Sequence, residues 1–242
     1  MAVSAAGAAD PAGSEPEAVE RPVTRASGFT VHPGRSLFYR FARQVVVGLL
    51  RVWFRPRIRG LAQVPPLGAA IIAPVHRSNV DFAFAALLTR RKLFFMAKEE
   101  LWRWAWFGRL LESLGAFPVH RSGTDRESVR RAEEVLRSGE LLVMFPEGSR
   151  RFGDRVDELQ EGVAFLAART GTPIVPVGIA GSERAMPKGA KVPKPVGITV
   201  VVGEPIPTER PDGRRVARSQ IHRLSEQLRE RLQAGYDAAA GR

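Results

Sequence analysis

Between residues 36 and 54, large apolar side chains recur every three to four positions. Leu37, Phe41, Val45, Leu49 and Val52 form the series, with Phe38, Val46, Leu50 and Trp53 beside them, and the spacing predicts a helix. After Pro56, short apolar runs alternate with helical periodicity, the texture of an α/β domain. Strands are expected over residues 69–75, 93–97, 115–119, 141–145, 173–179 and 196–202. Helices are expected over 81–88, 101–114, 124–139, 162–169 and about 215–234. The third of these opens on Thr124 and Glu127, spaced as a capping box, and closes at Gly139. The expected fold is α/β, a mixed sheet flanked by helices and preceded by a basic amphipathic helix.

Residues 1–33 have almost no large apolar side chains before Phe29, too few to offset the entropy of ordering, and predict a disordered tail. Residues 34–59 are assigned to the amphipathic helix and 60–235 to one α/β domain. Seven arginines fall between Arg35 and Arg59, and no Asp or Glu occurs between Glu20 and Asp81. Aromatic and aliphatic residues interleaved with uncompensated arginine describe a helix lying in a membrane interface. The bland alternative is a core-packing helix that happens to be basic. Trp102, Trp104 and Trp106 admit a similar choice between membrane interface, acyl-chain pocket and core.

Composition narrows the chemistry. The net charge of +12 points to phosphate-rich partners: nucleic acid, an anionic membrane surface or a phosphorylated substrate. The absence of cysteine excludes thiolate nucleophiles, disulfides and Cys-ligated metals. Four histidines leave little for a metal site, and no metal is expected. No run reaches the roughly 20 apolar residues of a spanning helix. No apolar secretory segment is read in the first thirty residues.

Candidate chemistry gathers at strand ends. His76 follows the first long strand and Asp81 opens the next helix, a spacing that lets a carboxylate fix an imidazole in one tautomer. Ser78 lies in no G-x-S-x-G elbow, which disfavours a serine hydrolase. The run from Phe145 to Arg151 takes an apolar strand into Glu147, Gly148, Arg150 and Arg151. A carboxylate at a buried strand end needs a donor partner, glycine permits a sharp turn, and Arg150 has the planar fork that suits a phosphate. Residues 115–121 likewise end a strand with a cation, Arg121.

Taken in order, His76 with Asp81, Gly115 to Arg121, Phe145 to Arg150 and the Val-Pro-Val at 175–177 resemble the four blocks of the glycerolipid acyltransferase family. The likeness is closest to its bacterial 1-acylglycerol-3-phosphate acyltransferases, and covers about residues 35–210. It implies that His76 is the general base that deprotonates an acceptor hydroxyl, oriented by Asp81, and that the hydroxyl oxygen attacks an acyl thioester directly. It further implies that Arg121 and Arg150 hold the acceptor's phosphate in a pocket shaped by Glu147 and Gly148, with Lys98 adding charge. Ile174, Val175 and Pro176 would serve donor binding or packing.

The implied partners are acyl-CoA or acyl carrier protein, a lysophospholipid and an anionic membrane surface, with no cofactor and no nucleic acid. The implied location is peripheral, on the cytoplasmic face of the cell membrane. Ser149 stands where many members have threonine, and Gln160, Glu161 and Gly162 lack a lysine common in the family. Other acceptors therefore stay open: glycerol-3-phosphate, a lyso-aminolipid or a glycolipid hydroxyl. A non-catalytic nucleic-acid or membrane-binding protein would also explain the charge, but leaves the strand-end clusters without purpose.

Overall fold

Two apolar stripes run along the first helix, α1 (Leu37–Phe54), where the sequence suggested one. Tyr39, Val47, Leu50 and Phe54 are buried. The Tyr39 hydroxyl accepts a hydrogen bond from the Leu93 main chain at 3.1 Å, and burial pushes its phenol pKa up. Arg43 Nη2 donates to the Ala86 carbonyl at 2.8 Å. The second stripe faces away: Leu37, Phe41, Leu49 and Val52 are each 66–78% exposed. Apolar periodicity alone merges the two stripes because their residues interleave.

This computed structural model describes residues 37–119, 126–187, 189–190, 192–210 and 215–242, without the side chains of Lys98, Leu101, Phe107 and Val119. The expected tail at 1–33 and the expected cap at Thr124 lie outside the described residues.

After α1 come β1 (Arg57–Arg59), β2 (Ala70–Pro74) and α2 (Asp81–Phe84). β3 (Leu93–Lys98), α3 (Ala105–Ser113), β4 (Ala116–Val119) and α4 (Arg126–Arg137) follow. Next are β5 (Leu141–Val143), α5 (Gly162–Thr170), β6 (Ile174–Ala180) and α6 (Ser182–Ala185), and the last elements are β7 (Thr199–Val202) and α7 (Arg218–Ala240).

The seven strands form one mixed sheet in the order β1-β7-β6-β2-β5-β3-β4. Strands β6, β2, β5, β3 and β4 run parallel, β7 reverses against β6, and β1 follows β7. Every residue of the central β2 is buried, as its unbroken apolar run requires. Helices α4, α5 and α7 lie side by side against the sheet, with α7 along β6. A Cβ at Gly178 would collide with the main chain of Gly235, so helix and strand meet backbone to backbone. The chain leaves β2 toward β3 but leaves the neighbouring β5 toward β6. Adjacent parallel strands whose connections depart in opposite directions open a crevice at their carboxyl ends, where α/β sheets bind ligands.

Several elements differ from expectation: α6 lies outside the expected set, the helix expected over 81–88 turns 3-10 after Phe84, and α7 runs on to Ala240. β1 carries a single apolar residue, Ile58, between two arginines, and it is a strand because β7 pairs with it. The expected helix over 101–114 breaks at Trp104, whose backbone is extended; α3 starts after it, and a 3-10 turn (Glu99–Arg103) precedes it. The Trp102 indole folds back over α3, close against Gly108, and its N–H donates to Glu112 at 3.0 Å.

Candidate active site

His76 leaves the sheet directly beyond β2, in the crevice between β2 and β5. The chain turns at Arg77 and Ser78 and enters α2 at Asp81. The buried Asp81 carboxylate folds back over that turn: its Oδ2 accepts the main-chain N–H groups of Arg77 and Ser78, each at 2.6 Å. The same oxygen lies 3.2 Å from His76 Nδ1. One carboxylate oxygen thus shapes the turn and holds the ring. An Nδ1–H donated to Asp81 leaves Nε2 with a free lone pair, the arrangement of a general base. The imidazole stacks on Phe145 at 4.2 Å between ring centroids, and its side chain keeps 20% of its surface open.

The loop after β5 supplies the other half of the site. Gly148 adopts φ +65°, where a side chain is strained, and a Cβ there would sit 3.0 Å from Gln160 Cγ. That turn directs Glu147 inward. Glu147 Oε1 accepts from Arg77 Nη1 at 2.6 Å and Oε2 accepts the main-chain N–H of His76 at 2.7 Å. The Arg77 and Glu147 side chains are 1% and 0% exposed. Arg77 Nη2 also donates to the Arg155 carbonyl at 2.9 Å. The Arg151 N–H donates to the His76 carbonyl at 2.9 Å, so both main-chain polar groups of His76 are held by the β5 loop.

Glu147, expected to shape a phosphate pocket, has both carboxylate oxygens engaged, one by Arg77 and one by the His76 main chain. Its predicted donor partner is Arg77, which sequence reasoning overlooked because it lies inside the His-to-Asp spacing. Arg150 and Arg151 are half-buried, and among the described residues neither has a carboxylate partner. Guanidinium groups with no carboxylate partner among the described residues are suited to an anionic ligand. Arg121 and the side chain of Lys98 lie outside the described residues. Ile174, Val175 and Pro176 are buried within β6, where β2 pairs with all three.

The profile of the family described as Acyltransferase matches residues 55–180, a stretch that holds every element of this site. The chain belongs to that family. The chain is 25% identical over 169 residues to a 1-acyl-sn-glycerol-3-phosphate acyltransferase of Bacillus subtilis, covering 69% of this chain and 82% of the relative. An enzyme of the same name from Streptococcus pneumoniae is 32% identical over 153 residues, covering 61% of this chain and 56% of the relative. A chloroplast enzyme so named, from Brassica napus, is 24% identical over 189 residues, 73% of this chain and 55% of its own. The chain thus spans little more than half the length of the last two. The crystal structure of the 1-acyl-sn-glycerophosphate acyltransferase PlsC from Thermotoga maritima superposes with a TM-score of 0.63 at 22% identity. That likeness covers 85% of this chain and 87% of PlsC, and extends to the fold.

Proposed function

We propose that this acyltransferase moves a fatty acyl group from an acyl thioester to the free hydroxyl of 1-acyl-sn-glycerol-3-phosphate, giving phosphatidate for phospholipid synthesis. The observation that carries the reading is the His76–Asp81 contact at 3.2 Å, next to Arg151, whose main chain bonds His76 and whose side chain has no carboxylate partner among the described residues. His76 Nε2 takes the hydroxyl proton as the oxygen attacks the thioester carbonyl. The carbon–sulfur bond then breaks, and the imidazolium returns the proton to the departing thiolate. The names of the bacterial relatives support this acceptor. Coenzyme A and acyl carrier protein are both acceptable thioester carriers to a basic enzyme.

The assay is phosphatidate formation by mass spectrometry, with oleoyl-CoA or oleoyl acyl carrier protein and lysophosphatidate in mixed micelles. Product from either donor supports the reading. Acylation of glycerol-3-phosphate, a lyso-aminolipid or a glycolipid, with none of lysophosphatidate, overturns the acceptor. Arg150→Ala should raise the apparent KM for lysophosphatidate about 10- to 150-fold through loss of a charge-assisted contact. An unchanged KM would remove Arg150 from phosphate binding, and Arg121→Ala would then be the informative variant.

We further propose a peripheral seat on the cytoplasmic face of the membrane; the exposed stripe of α1 supports the membrane contact. Leu37, Phe41, Leu49 and Val52 would enter the acyl boundary while arginines meet anionic headgroups. Exposed Trp104 and Trp106 suit the same interface. Among the described residues no helix is long and apolar enough to cross a membrane. Phe41→Gln with Leu49→Gln should weaken partitioning onto anionic vesicles by about tenfold or more, with thermal stability nearly unchanged. Equal partitioning of variant and wild type would count against the seat.

A further inference from the structure

The end of α7 lies outside the family match, yet it reaches the core of the site. Among the described residues, Arg77 is the most enclosed cation there. Its Nη1 and Nη2 are engaged by Glu147 and Arg155, and its Nε is buried with no hydrogen-bond partner among the described residues. Its guanidinium carbon lies 5.2 Å from the ring centroid of Tyr236, itself 3% exposed. The electron-rich face of a desolvated aromatic ring attracts a cation, and here it also closes the space into which the guanidinium could swing.

Three consecutive loop residues are fastened to the same assembly. Gln233 donates from Nε2 to the Asp154 carbonyl at 3.0 Å and accepts the Val156 N–H at 2.8 Å. Between them, the Arg155 carbonyl is the acceptor for Arg77. Arg242 pairs with the Asp154 carboxylate at 2.5 Å and lies 5.7 Å from the Tyr236 ring centroid. The backbone contact of Gly235 with Gly178 anchors this end of α7 on β6.

We propose that Tyr236 is a positioning residue for the acyl-transfer site. It holds Arg77 against Glu147, Glu147 holds the main chain of His76, and the base is thereby fixed over the crevice. Tyr236 touches no substrate. Its effect falls on the placement of the base, and so on kcat rather than acceptor affinity. The inference rests on the acyl-transfer reading for its kinetic assay, and imidazole NMR gives a readout that does not.

The test compares Tyr236→Phe, Tyr236→Leu and Gln233→Ala in the full chain. Tyr236→Phe keeps the ring face and should retain kcat within twofold, whereas Tyr236→Leu should lose about tenfold or more with little change in acceptor KM. In long-range 1H–15N spectra the His76 ring signals, assigned with a His76→Ala control, should shift in Tyr236→Leu and stay in Tyr236→Phe. Gln233→Ala loosens the loop from the half-exposed face of α7 and should lower kcat even if Tyr236→Leu does not fold. Folded Tyr236→Leu with wild-type kcat and unmoved His76 signals would overturn the proposal. So would Tyr236→Phe as damaging as Tyr236→Leu, or a Gln233→Ala that leaves kcat intact. A wild type inactive on every acceptor would instead overturn the acyl-transfer reading, and the NMR comparison would still stand.

Discussion

His76→Ala is expected to lower kcat for phosphatidate formation about 100- to 10,000-fold, the range lost with a positioned general base. The fold should survive. The side chain is partly open, and its structural contacts are the Phe145 stack and Asp81. The main-chain bonds of residue 76 to Glu147 and Arg151 do not need an imidazole. Asp81→Asn separates the two duties of that carboxylate. An amide oxygen can still accept the N–H groups of Arg77 and Ser78, so the turn should persist, but the charge that favours an imidazolium is gone. Its kcat should fall between wild type and His76→Ala. Near-wild-type turnover by folded His76→Ala would remove His76 as the base.

Arg77→Met should be the most destabilising single change in the site. It leaves the Glu147 carboxylate buried beside the His76 N–H with no cation, and breaking a buried pair from one side costs about 3–5 kcal/mol. For a chain of this size that is a fall in Tm of about 6–20 °C. Adding Glu147→Leu should restore much of the stability, because an apolar pair of similar volume avoids the cost of burying charge. Activity should not return, since the His76 N–H then has no acceptor. Urea denaturation and kcat for both single variants and the double variant separate the two effects. Parallel recovery of stability and kcat would show that the pair serves folding alone.

The sheet was legible where strands make their own pattern. β2, β5 and β6 are unbroken apolar runs because both of their faces are covered, and their burial is complete. β1 has no such pattern, since its hydrogen bonds to β7 rather than its side chains make it a strand. In the site, His76, Asp81 and the glycine turn could be read because their partners are local. Arg77 and Glu147 lie 70 residues apart, and charge carries no periodicity that would pair them. Tyr236 falls just past the helix expected to end at about residue 234, whereas α7 runs on to Ala240. Only the packing of α7 on β6 gives it a neighbour across the chain.

The reversal of β7 has a consequence for how a lipid would reach the base. β1 runs with β7, so it begins at the rim where β2 ends. The last turn of α1 is therefore delivered to that rim, and Phe54 meets Phe84 of α2 edge-on at 5.3 Å. Had β7 followed its neighbours, α1 would open onto the opposite rim, a full strand length from the chemistry. As built, an acceptor held against the end of α1, under the proposed function, would lie at the same rim of the sheet as His76 rather than across it.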